Sequence, residues 1–139
     1  MDLGAGAGIP GLPMKIVEPG IRLTLVEARR RRTSFLGAVV RELRLEGVSI
    51  LAGRAEALLE SESGVAGAFD VVVTRAAGPP GLILPVAMAF LGPSGRFIAS
   101  GPPTARPLPP LPPGTSSRWE SVPTGGQAQR RFLIVEKAG

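Results

Sequence analysis

Four short stretches of this chain carry residue types that could hold a nucleotide-like ligand. Gly4, Gly6 and Gly8 alternate with Ala directly after Asp2-Leu3, Glu27 closes the run from Ile21, Ala55-Glu56 follows a turn at Gly53-Arg54, and Arg75 follows Phe69 to Thr74. A loop of glycines turns tightly and lets a ligand approach the backbone. An acid at a strand end, about 20 residues further on, can accept hydrogen bonds from both hydroxyls of a ribose. Gly6-x-Gly8-x-x-Gly11 fits the dinucleotide fingerprint, and Gly4-x-Gly6-x-Gly8 fits the looser pattern of methyltransferases. The glycines alone therefore leave two chemistries open, hydride exchange with a nicotinamide dinucleotide and methyl transfer. A flexible Gly/Ala-rich segment is the bland alternative.

The flanking pattern predicts the elements that must position these residues. Asp2-Leu3 reads as the last piece of a buried strand and Leu12 to Glu18 as a short helix stopped by Pro19-Gly20. Arg22 to Val26 is a strand. A long helix opens at Ala28 and runs to about Leu45; Phe35, Leu36, Val39, Val40 and Leu43 share one face, and Gly47 ends it. Val48 to Leu51 is a strand, Glu56 to Glu60 a brief helix, and Ser61 to Gly67 a polar loop. Phe69 to Val73 is a β-branched run suited to a sheet buried on both faces. Thr74-Arg75-Ala76 sits at its C-terminal end. Pro80 to Leu91 is a helix interrupted by Pro85, Pro93-Ser94-Gly95 a turn, and Arg96 to Ser100 a strand.

Residues 101–114 hold seven prolines and no helical period, which predicts an extended linker. Arg118 to Val122 and Arg131 to Glu136 then form two strands joined by Thr124-Gly125-Gly126, an antiparallel hairpin. Strands alternating with helices, closed by a hairpin, predict an α/β fold: a Rossmann-like, doubly wound, mostly parallel sheet with an antiparallel C-terminal edge. In such sheets ligands bind beyond the C-terminal strand ends. Gly4 to Gly8, Glu27, Ala55-Glu56 and Arg75 all fall at such ends, so four separate segments converge on one crevice.

Composition narrows the function classes. The 139 residues suit one domain, 1–139, and 44% are hydrophobic, enough for a core. No apolar run reaches the length of about 18 residues that predicts a membrane span, and no secretory leader opens the chain, so a cytoplasmic location is expected. Cys and His are both absent, so no disulfide, thiolate chemistry or zinc-type metal site is expected. Net charge is +5, and of sixteen basic residues only Lys15 and Lys137 are Lys. Arginine suits phosphate, so a polyanionic partner is one reading; a GC-rich genome is the other.

The stretch Asp2-Leu3-Gly4-Ala5-Gly6-Ala7-Gly8-Ile9-Pro10-Gly11-Leu12-Pro13 resembles the first motif of the glucose-inhibited division protein B family. These are S-adenosylmethionine-dependent methyltransferases that modify N7 of a guanine in bacterial 16S ribosomal RNA. Leu25 to Leu36, Gly53 to Glu56, Phe69 to Ala76, Gly92 to Arg96 and Arg131 to Lys137 resemble further motifs in order. The resemblance implies a class I methyltransferase fold with S-adenosylmethionine as cofactor. It implies that Gly4, Gly6, Gly8 and Ile9 line the cofactor and Glu27 holds its ribose. By the same resemblance Ala55 and Glu56 flank the adenine, and Arg75 sits beside cofactor and substrate. The implied partners are 16S ribosomal RNA and the small ribosomal subunit, with Arg29, Arg30, Arg31 and Arg32 as candidate RNA contacts. Against the family pattern the first strand is expected to be incomplete, because Met1 lies inside it. Ser100-Gly101 stands where the family usually carries Lys-Gly.

The residue inventory agrees with that chemistry. With no His, Cys or Tyr, the usual general bases and covalent nucleophiles are missing. An acceptor with a lone pair and no proton to lose, such as guanine N7, needs none of them. A nicotinamide oxidoreductase is disfavoured for the same reason, and a non-catalytic RNA-binding fragment is the third reading.

Overall fold

The computed structural model describes residues 1–75, 77–101, 110–126 and 128–139. Ala76 and most of the expected proline linker lie outside the described residues. The elements in order are β1 (Asp2–Leu3), α1 (Gly11–Val17), β2 (Leu23–Glu27), α2 (Arg30–Glu42), β3 (Val48–Ala52) and α3 (Ala55–Ser61). They continue as β4 (Phe69–Thr74), α4 (Pro80–Phe90), β5 (Leu91–Ser100), β6 (Thr115–Pro123) and β7 (Gln129–Lys137). Seven strands form one sheet in the order β3-β2-β1-β4-β5-β7-β6. The first five strands pair in parallel, and β7 runs antiparallel to both β5 and β6.

Alternation along the strands sends successive residues to opposite faces. Leu23 and Leu25 of β2 point to the layer of α1 and α2 and are buried with Leu12 and Leu36. Val26 and Leu3 point to the layer of α3 and α4 and are buried with Leu58, Val72, Leu84 and Phe97. Each such fully buried aliphatic side chain contributes about 1.5–3 kcal/mol of transfer free energy.

Several boundaries differ from the sequence expectation. Helix α2 starts at Arg30 rather than Ala28 and stops well before Gly47. Arg44 adopts a left-handed φ of 51°, and the Leu45 N–H reaches back to the Val40 carbonyl at 3.0 Å while the Arg44 N–H reaches Arg41. This is a Schellman closure, with a non-glycine residue in the left-handed position. Within α2 only Leu36 is fully buried; Val39 and Val40 are half-buried, whereas Phe35 and Leu43 stay about half exposed. The packed face is therefore narrower than the apolar stripe. The expected turn at Pro93–Gly95 lies within β5 as a bulge: the pairing jumps from Phe69 with Leu91 to Val71 with Arg96. Strands β6 and β7 extend beyond the predicted hairpin at both ends.

Because β1 has two residues, its pairing with β2 reaches only Leu25 and Val26, and with β4 only Val73. Below that point a cleft of about 660 Å³ separates β2 from β4, bordered by Leu23, Thr24, Phe69, Asp70 and Val71. It lies at the N-terminal ends of the parallel strands, opposite to the glycine loop.

Candidate functional site

Strand β1 delivers the chain into a loop in which Gly4, Gly6 and Gly8 take left-handed φ values of 71°, 58° and 87°. Side chains with a Cβ rarely adopt these angles. The three glycines have different surroundings. A Cβ on Gly4 would press on the Cβ of Ala77, 2.8 Å away, so the loop after β4 lies directly against it. Gly6 is more open, with the Arg32 guanidinium 3.6 Å from a built Cβ. Gly8 is buried and turned inward, where a Cβ would overlap Leu12. Gly11 needs no special φ, yet a Cβ there would stand 2.8 Å from the Asp2 carboxylate and 2.9 Å from Leu25. That close approach lets the buried Asp2 accept the Gly11 N–H at 2.8 Å and anchor the start of α1. Burial pushes the Asp2 carboxyl above its usual range, opposed by the Gly11 N–H and by the positive charges of the N-terminus and Arg75.

Glu27 is the last residue of β2 and is buried. Its two carboxylate oxygens accept one backbone N–H each, from Gly6 at 2.9 Å and from Arg29 at 2.8 Å. The Arg32 guanidinium stands 3.8 Å away, half exposed, so that pair adds little stability. The backbone of Glu27 also takes part, because its carbonyl accepts the Gly53 N–H at 3.0 Å. One residue thus ties the glycine loop, the start of α2 and the turn before α3 together. A carboxylate oxygen has two lone-pair directions, so each keeps one for a further donor. Paired hydroxyl donors on adjacent carbons fit that requirement.

The other expected residues stand on the segments that follow β1, β3 and β4 and on the first turn of α2. Ala55 opens α3 half-buried, with Glu56 exposed in its first turn. Ile9 is 43% exposed on the glycine loop. Arg75 is exposed just past β4, and its neighbour Thr74 donates its hydroxyl to the Leu3 carbonyl at 2.9 Å. Arg29 caps α2 and Arg30, Arg31 and Arg32 fill its first turn, all exposed, with no acid among them.

A cavity of about 140 Å³ opens past the end of β4, lined by Thr74, Arg75, Ala77, Ile83, Gly101 and Trp119 among others. Sequence reading missed Trp119 and Gly101 as site residues. Only the strand register reveals them: Thr74 pairs with Ala99, Ala99 with Leu133 and Leu133 with Trp119, one row across four strands. Among the described residues no cluster of acids could hold a metal ion, and no helix is long and apolar enough to cross a membrane.

Comparison with known proteins gives the family and the fold. The family model GidB, described as rRNA small subunit methyltransferase G, matches residues 1–101. A ribosomal RNA small subunit methyltransferase G of Sorangium cellulosum is 45% identical over 97 residues, covering 70% of this chain and 40% of that protein. The methyltransferase of the same name from Moorella thermoacetica is 32% identical over 145 residues, covering 99% of this chain and 60% of that protein. The chain thus spans about half the length of these curated relatives. Among solved structures, a putative methyltransferase, yhhF, from Escherichia coli superposes with a TM-score of 0.70 at 17% identity, over 99% of this chain and 74% of that one. The fold is the Rossmann-like one of class I methyltransferases.

Proposed function

Because the chain belongs to the GidB family of rRNA small subunit methyltransferases, we propose that its strand-end crevice binds S-adenosylmethionine and methylates N7 of a guanine in 16S ribosomal RNA. Residues 1–139 act as one catalytic domain in this reading, in the cytoplasm and on the small ribosomal subunit. Glu27 holds the ribose hydroxyls with its two remaining lone pairs. Gly4 and Gly6 keep the loop free of side chains over the cofactor's methionine part, Ile9 borders it, and Gly8 maintains the turn by packing on Leu12. Ala55 and Glu56 flank the adenine, and Arg75 stands between cofactor and substrate.

Bound S-adenosylmethionine would supply an electrophilic methyl group, and a lone-pair acceptor such as guanine N7 has no proton to lose. The protein's part is therefore orientation rather than acid–base work. That suits 139 residues without His, Cys or Tyr. RNA is favoured by the cationic start of α2. A helix N-terminus carries partial positive charge, and Arg29 to Arg32 add four full charges, with no acid in the first turn and the single Glu27 carboxylate beside it. A phosphate there relieves the repulsion.

The observation that carries the reading is the Glu27 carboxylate, fixed by two backbone N–H groups and still able to accept two more bonds. Calorimetric titration with S-adenosylhomocysteine tests it. Glu27→Gln replaces one acceptor oxygen with a donor and should weaken binding by roughly 1–3 kcal/mol, with NAD showing no binding to the parent. Equal affinity of the variant and the parent would overturn the ribose assignment.

A further inference from the structure

We propose that the 140 Å³ cavity between Arg75 and Trp119 receives the planar base that accepts the methyl group, with Trp119 as its stacking wall. This rests on the methyltransferase reading above and adds the acceptor's seat to it. The cavity and the glycine loop share a wall: Ala77 lines the cavity, and its Cβ lies against Gly4. A base seated there is adjacent to the loop proposed to carry the cofactor.

The indole is held from two directions. The Arg131 guanidinium sits 5.1 Å from the ring centroid. Gly101 lies so close to the ring's six-membered edge that a Cβ at that position would overlap it, and its N–H is fixed by the Arg131 carbonyl at 2.9 Å. Trp119 nevertheless remains only half-buried. One part of the indole packs on the core cluster with Ala99 and Leu133, and the part left open offers a rigid π-face that stacks a nucleobase at little entropic cost. The cavity is also below the roughly 300–1,000 Å³ of pockets for whole drug-sized ligands, so it has room for one ring system rather than a second cofactor. After methylation at N7 the purine is cationic, and an indole face still accepts it.

Trp119 is the only tryptophan of the chain, so its fluorescence reports on this one cavity. The experiment titrates the 139-residue chain with guanosine 5′-monophosphate, 7-methylguanosine 5′-monophosphate and ribose 5-phosphate, following Trp119 emission. Both guanine nucleotides should quench saturably and ribose 5-phosphate should not. By calorimetry Trp119→Phe should keep most of the guanosine 5′-monophosphate affinity and Trp119→Ala should lose roughly ten- to a hundredfold, with melting curves recorded for both. S-adenosylhomocysteine is titrated separately. Binding of S-adenosylhomocysteine without guanine-dependent quenching overturns the base seat and leaves the cofactor reading standing. Saturable quenching without S-adenosylhomocysteine binding overturns the cofactor reading and supports the seat. Equal quenching by ribose 5-phosphate shows a phosphate site and overturns the stacking claim.

Discussion

Arg44 ends α2 at a φ of 51°, a conformation that costs an L-residue with a Cβ roughly 1–2 kcal/mol relative to the right-handed one. Its side chain is exposed and makes no ion pair among the described residues. Arg44→Gly should therefore stabilise the chain by about 0.5–1 kcal/mol, once the greater freedom of glycine in the unfolded state is subtracted. Urea unfolding checks this; a lower midpoint for the variant would mean that Arg44 has a partner which the strain argument omits. Gly47 looked like the helix stop in sequence because glycine is the common residue at that position, and nothing local marks an arginine for it. The place of Glu27 at the end of β2, next to the glycine loop, was legible from its spacing after the glycines. The inward turn of Gly8 and the contact of Gly11 with Asp2 were not, since both depend on where Leu12, Leu36 and Leu25 come to rest.

The first turn of α2 carries arginines and no acid, and only the Glu27 carboxylate beyond its N-terminus offsets them. Arg31, exposed in the first turn, can be exchanged without touching the core. Arg31→Glu should raise stability by about 0.3–1 kcal/mol at low salt, because an acid replaces a cation at the positive end of the helix. The same change should weaken RNA binding and lower the slope of log affinity against log salt by roughly one unit. Melting curves and filter binding across a salt series measure the two effects. A variant that gains stability and keeps the parent's RNA affinity and slope removes α2 from the RNA surface. Most element positions were legible, because glycine and proline punctuate the chain and the β-branched run at Phe69 to Thr74 is unambiguous. The bulge in β5 was not: Pro93–Gly95 reads as a turn between elements, but tertiary pairing of Leu91 with Phe69 draws it into the strand. The register that carries Trp119 to Thr74 is set by three separate strand pairings, none written in local pattern.

At the scale of the molecule, alternating strands and helices foretold the mostly parallel sheet with an antiparallel end. The insertion of β7 between β5 and β6 follows only when the strands assemble. Two-residue β1 is the middle strand of the five parallel ones, and this has a consequence in time. Strands β6 and β7 are close in sequence and can pair early, whereas joining β1 to β4 closes a loop of 71 residues, as in the bond from Thr74 to Leu3. Closure on that scale costs entropy before any contact offsets it, so distant pairings tend to form last. The glycine loop hangs from β1 and takes its final shape with that step. A ligand bound there acts on the completed fold and is absent from the folding transition state. Saturating S-adenosylhomocysteine should accordingly slow unfolding in stopped-flow urea jumps and leave the refolding rate unchanged. Refolding that accelerates in step with the gain in stability would place the glycine loop among the first parts of the chain to organise.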